Sequence, residues 1–160
     1  ATGAGAMAPF NLLLADGRQC QYLGNHPSRQ QAVPAGIHGL SNAGLNAPWP
    51  KSQQLQQALG RWIASDSDSL SALWLALGER RQPRDQDLPD TGVGLALGRQ
   101  LAPVFIAGPQ YGTRASHVLA IDADGAGLLA ERRFGPDGVA LGASHWHFDG
   151  RGRFTQASPE

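Results

Sequence analysis

Ala115-Ser116-His117-Val118-Leu119-Ala120-Ile121 is followed at once by Asp122-Ala123-Asp124-Gly125. Successive side chains of a strand point to opposite sides. Ala115, His117, Leu119 and Ile121 therefore share one face, and Ser116, Val118 and Ala120 the other. Asp-Ala-Asp-Gly suits a tight reversal, because Asp bonds its own backbone and Gly accepts positive φ. Residues 128–134 are then the returning strand. Gly108-Pro109-Gln110-Tyr111-Gly112-Thr113-Arg114 leads into this hairpin as a polar turn, with the glycines placed for φ > 0 and Pro109 fixing φ. Arg114 sits where the turn meets the strand, on the Ser116 and Val118 face. A guanidinium there needs an anion or carbonyls.

Toward the N-terminus, the runs at 10–15 and 20–23 are closed by Asp16-Gly17 and Gly24-Asn25-His26-Pro27, the pattern of a β-hairpin. Residues 36–41 form a third extended piece. Pro48 and Pro50 open a helix. Leu55, Ala58, Leu59, Trp62 and Ile63 recur at helical spacing and predict an amphipathic helix over 51–64. Ser67, Asp68 and Ser69 offer N-caps to a second helix with the stripe Leu70, Leu73, Trp74 and Leu77, ended by Gly78. Residues 79–94 read as a surface loop, 95–101 as a helical turn, and 103–107 as extended chain. The last strand is 143–148, and residues beyond Gly150 are expected to fray. Hairpins with two consecutive helices between them predict an α+β fold, with helices on one face of an antiparallel sheet.

At 160 residues one domain is expected. The division is a flexible arm at 1–9, the domain at 10–150 and a polar tail at 151–160. The absence of a methionine at position 1 suggests part of a longer chain. The 13 basic and 13 acidic residues cancel, which removes any electrostatic argument for nucleic acid. The single cysteine excludes an internal disulfide and fits a reducing, cytoplasmic setting. No apolar run approaches the ~20 residues of a transmembrane helix.

The chemistry-bearing residues have ordinary readings too. His145-x-His147 has a spacing that can hold a metal, but no third ligand matches it, and no metal is expected. Trp146 and Phe148 should take the buried face and leave both histidines in solvent. Cys20 reads as a small hydrophobe within a strand rather than a nucleophile. The Asp122 turn lacks the distal glutamate of a calcium loop. Arg132-Arg133 reads as a solvated edge, and His38 as a rim histidine. Asn42, in Gly39-Leu40-Ser41-Asn42, fits equally an Asx turn or a donor facing a cleft.

Gly39-Leu40-Ser41-Asn42, Pro48-Trp49-Pro50-Lys51, Leu88-Pro89-Asp90-Thr91-Gly92, Tyr111-Gly112-Thr113-Arg114 and Val118-Leu119-Ala120-Ile121-Asp122 come in an order that resembles the NRDE family, also called the transport and Golgi organisation protein family. Phe10-Asn11-Leu12-Leu13-Leu14-Ala15-Asp16 is similar to that family's mid-chain strand. The resemblance covers residues 9–148. It implies kinship with N-terminal-nucleophile hydrolases and their αββα sandwich, present here as a partial domain. In the related acylases a cysteine attacks an amide, an asparagine helps form the oxyanion hole and a later arginine lines the site. Those two roles pass to Asn42 and Arg114, with Tyr111, Thr113 and Ser41 beside the substrate. The family's Met-Cys start and Asn-Arg-Asp-Glu motif are absent, and Cys20 does not match the nucleophile's position. The resemblance thus implies the second half of the domain, partnered by the missing N-terminal half and by a small-molecule substrate or ligand. It implies no activity for this polypeptide alone and no required cofactor. The alternative it carries is a binding or trafficking module for haem or acyl lipids.

Overall fold

The computed structural model describes residues 7–90 and 92–158. Most of the expected arm, residues 1–6, lies outside these, as do Thr91 and the last two residues. The fold is α+β, with antiparallel sheets and three helices. An N-terminal meander joins β1 (Asn11–Ala15), β2 (Cys20–Asn25) and β3 (Ser28–Ala32). The short hairpin β4 (Leu40–Ser41) and β5 (Gly44–Leu45) follows. Next come α1 (Pro50–Ala64), α2 (Ser71–Leu77) and α3 (Leu95–Leu101). A second meander, β6 (Ala115–Ile121), β7 (Gly127–Phe134), β8 (Ala140–Phe148) and β9 (Phe154–Ala157), completes the chain.

The β6–β7 hairpin forms as its alternation predicts. Asp122 Oδ1 accepts the main-chain N–H groups of Asp124 and Ala126, each at 2.9 Å, and Gly125 takes φ 80°. Val118 faces Ala130, and Ala130 faces His145, so these residues share one side of the sheet. The helices cover that side. Leu70, Leu73 and Trp74 of the α2 region bury against Ala130, with Leu59, Trp62, Leu77, Val118 and Leu128 packed around them. Trp62 also donates its Nε1–H to Ser69 O at 2.8 Å, which ties the end of α1 to the start of α2.

The opposite side of the same sheet carries Leu119, Ile121 and Phe154 at 59, 60 and 63% exposure. Trp146 and Phe148 are half-buried on that side. At its other end Glu131 accepts Arg133, and His117 Nε2 approaches the same carboxylate at 2.8 Å. Arg133 also donates to Ser144 Oγ at 2.8 Å. The Arg133 bond, then the His117 bond, holds the Glu131 carboxyl below its usual 4.5. A lowered folded pKa means that this contribution is present above pH 4.5 and fades as the pH falls through the lower folded value. Glu131→Gln should therefore shallow the loss of stability with acid below pH 4.5, read from urea midpoints across pH. Identical slopes in the two proteins would remove Glu131 from the acid response.

Several expectations are corrected. His145 is 7% exposed on the helix-covered side and His147 is exposed on that same side, while Trp146 and Phe148 lie on the open one. The reason is register, because Ala130 opposite His145 is the small residue on which α2 sits. Arg132 is not a solvated edge: its guanidinium lies 4.4 Å from the centre of the Trp74 ring. Residues 154–157, expected to fray, form β9 against β8. Residues 28–32, given no element in the sequence, add β3 after the cis His26–Pro27 peptide. No side-chain bond caps α2 through its N-cap residue, Leu70; Ser69 Oγ instead accepts the Ser71 N–H at 3.3 Å. Residues 103–107 form no strand.

Gly108 and Gly112 are not held by positive φ. A Cβ on Gly108 would lie 2.6 Å from Tyr111 O, and one on Gly112 2.7 Å from Ile106 O. Close approach of the backbone, rather than left-handed geometry, requires them.

Candidate functional site

The β4–β5 hairpin is built from below. Tyr22 is 3% exposed, and its hydroxyl donates to Asn11 Oδ1 at 2.7 Å. That hydroxyl also lies under Gly44, whose φ of 105° and missing Cβ let the hairpin close over the ring. Asn11 Nδ2 donates to Ser41 O at 3.3 Å. Ser41 Oγ accepts the Ala43 N–H at 3.2 Å, so Ser41 supplies the turn bond that Asn42 was free to make. Asn46 closes the base, accepting the Gly39 N–H at 3.1 Å and donating to His38 Nδ1 at 2.9 Å. His38 thereby stays a tethered rim residue, its Nε2 3.0 Å from Pro34 O.

The tip of this hairpin borders a cavity of about 470 Å³. Asn42 and Ala43 form one wall, and Trp49, Pro50 and Lys51 at the start of α1 form the next. Pro89, Asp90 and Val93 close a third side, and α3 contributes Gly98 and Leu101. Ile106 and Tyr111 also line it. A few hundred cubic ångströms, mostly apolar with a few polar groups, is the usual form of a small-molecule site.

Lys51 is the cation of this cavity. Its Nζ donates to Leu101 O at 2.9 Å and lies 5.6 Å from the centre of the Trp49 ring. Burial disfavours the ammonium form and lowers its pKa from the usual value. Asp90 turns a carboxylate oxygen back onto the Gly92 N–H at 3.0 Å, as an Asx turn does. Asn42 makes no side-chain hydrogen bond among the described residues, which leaves its amide for a ligand.

Of the residues singled out in the sequence, Asn42 and Tyr111 line this cavity together. Thr113 stands behind it. Its Oγ1 accepts the Ile106 N–H at 3.0 Å, and its own N–H donates to Ile106 O at 2.8 Å, so it fastens the base of the turn that carries Tyr111. Arg114 is exposed and donates to Gln110 O at 3.2 Å; neither it, Thr113 nor Ser41 is on the lining. Cys20 is half-buried at the start of β2, away from the lining. Lys51, Trp49 and Ile106 were not read as site residues. The signal for two of them was Pro48-Trp49-Pro50-Lys51, one of the stretches that carries the family resemblance. Four such stretches, those around Asn42, Lys51, Asp90 and Tyr111, meet at one cavity. No group of three or more metal-ligating side chains occurs among the described residues.

The family model described as Transport and Golgi organisation 2 matches residues 1–136. The chain belongs to this family. It is 36% identical over 141 residues to the cattle (Bos taurus) Transport and Golgi organization protein 2 homolog, covering 77% of this chain and 50% of that protein. It is 32% identical over 151 residues to the human homolog, covering 86% of this chain and 53% of that protein. The chain thus spans about half the length of the curated relatives it matches. No helix among the described residues is long and apolar enough to cross a membrane.

Proposed function

We propose that this chain supplies the ligand-holding part of a Transport and Golgi organisation 2 domain. Its cavity takes a small amphipathic molecule with a carbonyl or carboxylate head and an acyl-like body. The observation that carries this is the convergence of Asn42, Lys51 and Tyr111 on an otherwise largely apolar cavity of about 470 Å³. An amide and an ammonium supply donors to the head, and the Trp49, Val93, Leu101 and Ile106 side chains receive the body. An acyl ligand suits this lining better than haem. Of the side-chain types that usually hold haem iron, Tyr111 alone is on it among the described residues.

A second reading rests on the same Asn42 amide. In a domain completed by the other half, which would bring a nucleophile, Asn42 would stabilise an oxyanion and Arg114 would border the reacting group. The other half would then cover the open face of the β6–β9 sheet, where Leu119, Ile121 and Phe154 are exposed, and would give the αββα sandwich. A cytoplasmic setting is proposed on the single cysteine.

Decanoate titrated into the chain should saturate one site, while haem followed by its Soret band should not. Asn42→Ala and Lys51→Gln should each weaken decanoate binding about tenfold, the loss of one hydrogen bond to a charged group. Undiminished affinity in both variants would refute the cavity assignment. Turnover of N-acyl substrates by the chain alone would refute the need for the other half.

A further inference from the structure

Of the 13 basic side chains in the sequence, Lys51 is the one lysine; the rest are arginines. A guanidinium keeps its charge at any working pH, whereas an amine can give up its proton and then attack carbon. That single lysine lines the Asn42 cavity. It is half-buried, and its Nζ donates to Leu101 O at 2.9 Å, which holds the amine against the end of α3. The bond uses one N–H, so the neutral amine keeps its lone pair for a ligand.

The surroundings favour that neutral form. Burial lowers the Lys51 pKa. Lys51 also stands in the first turn of α1, which holds no acidic residue, and the positive end of the helix dipole repels an ammonium there. The ion pairs of the described residues do not include it. The other titratable groups on the lining are Asp90 and Tyr111. Asp90 turns its carboxylate onto the Gly92 N–H, and on α3 Arg99 is bound to Asp85 outside the lining.

We propose that Lys51 captures an aliphatic aldehyde in this cavity as an imine, an inference that rests on reading the cavity as a site for acyl-like ligands. The neutral amine adds to the carbonyl carbon and forms the C–N bond. The carbonyl oxygen then takes up both amine protons and leaves as water, closing the C=N bond with no redox step. The Asn42 amide and the Tyr111 hydroxyl are on the same lining to donate to that oxygen. The alkyl chain lies against Trp49, Val93, Leu101 and Ile106. A carboxylate pairs with the ammonium and an aldehyde reacts with the amine, so the two head groups select opposite protonation states of one side chain.

Decanal added to the full chain with cyanoborohydride tests it, because reduction fixes the imine as a stable secondary amine. Peptide mapping by mass spectrometry separates Lys51 from the α-amino group. An adduct should form at Lys51, and excess decanoate should slow it. Arg18→Lys introduces an exposed amine outside the cavity as an internal standard. Lys51 should be trapped about tenfold faster than that amine, because the cavity holds the aldehyde beside it. Lys51→Arg keeps the charge without the nucleophile, so it should lose the adduct and still bind decanoate. Saturable decanoate binding with no adduct at Lys51 would overturn the capture and leave the acyl-ligand reading standing. Neither binding nor adduct would overturn both. Trapping at Lys51 no faster than at the amine introduced by Arg18→Lys, or indifferent to excess decanoate, would also overturn the capture.

Discussion

Trp74→Ala should lose about 3–5 kcal/mol of unfolding free energy, measured by urea titration. Trp74 is 8% exposed and sits in a cluster where helix and sheet meet, beside Leu70, Leu73 and Ala130. Truncation removes the ring's burial and opens a cavity that Ala130 is too small to fill. It also removes the ring contact of the Arg132 guanidinium, which lies 4.4 Å from the ring centre. Leu75→Ala is the matched control. Leu75 lies next along the same helix at 78% exposure, and its loss should stay within about 0.5 kcal/mol. A Trp74→Ala loss below about 1 kcal/mol would mean that α2 does not dock on the sheet as described.

The same helix shows what the sequence can and cannot reveal. Leu70, Leu73, Trp74 and Leu77 recur at helical spacing, and all four join the core cluster. Periodicity reports burial well when one face of an element meets one neighbour. It fails on the β6–β9 sheet, where both faces carry apolar residues. Leu119 and Ile121 are larger than Val118 and Ala120, yet the smaller pair faces the helices. For His145 the alternation was visible, but its sense depends on which face α2 selects, and Ala130 decides that from a different strand. Strand β9 was missed because Phe154-Thr155-Gln156-Ala157 is short and mostly exposed; only its pairing with β8 defines it.

The candidate site was legible in parts. Asn42 and Tyr111, which border the cavity, were singled out through the family resemblance; by pattern alone Asn42 fitted an Asx turn equally well. Their neighbours Trp49 and Ile106 look like core residues in the sequence, and Lys51 like an ordinary surface lysine. What makes Lys51 different is the Leu101 carbonyl it meets, 50 residues further on. No local pattern encodes such a distant partner.

Gly112→Ala should cost about 3 kcal/mol of stability and weaken decanoate binding at the Asn42 cavity in the same variant. The added methyl would stand 2.7 Å from Ile106 O and 3.3 Å from Gly108 N, both main-chain atoms that no rotamer change can move. Relief requires the 106–113 turn to open. That turn is held by the two bonds between Ile106 and Thr113, at 2.8 and 3.0 Å, and it carries Tyr111 to the rim of the cavity. Opening it displaces Ile106 and Tyr111 together, so one substitution should reach both the fold and the ligand. Thr113→Val separates the two effects. It removes the Oγ1 acceptor for the Ile106 N–H without adding a clash. It should cost only about 1 kcal/mol, the net value of one hydrogen bond, yet loosen Tyr111 in the same direction. Gly112→Ala with wild-type stability would show that the backbone does not pass as closely as described. Lost stability with unchanged decanoate affinity would instead detach this turn from the cavity and leave Asn42 and Lys51 to hold the ligand alone.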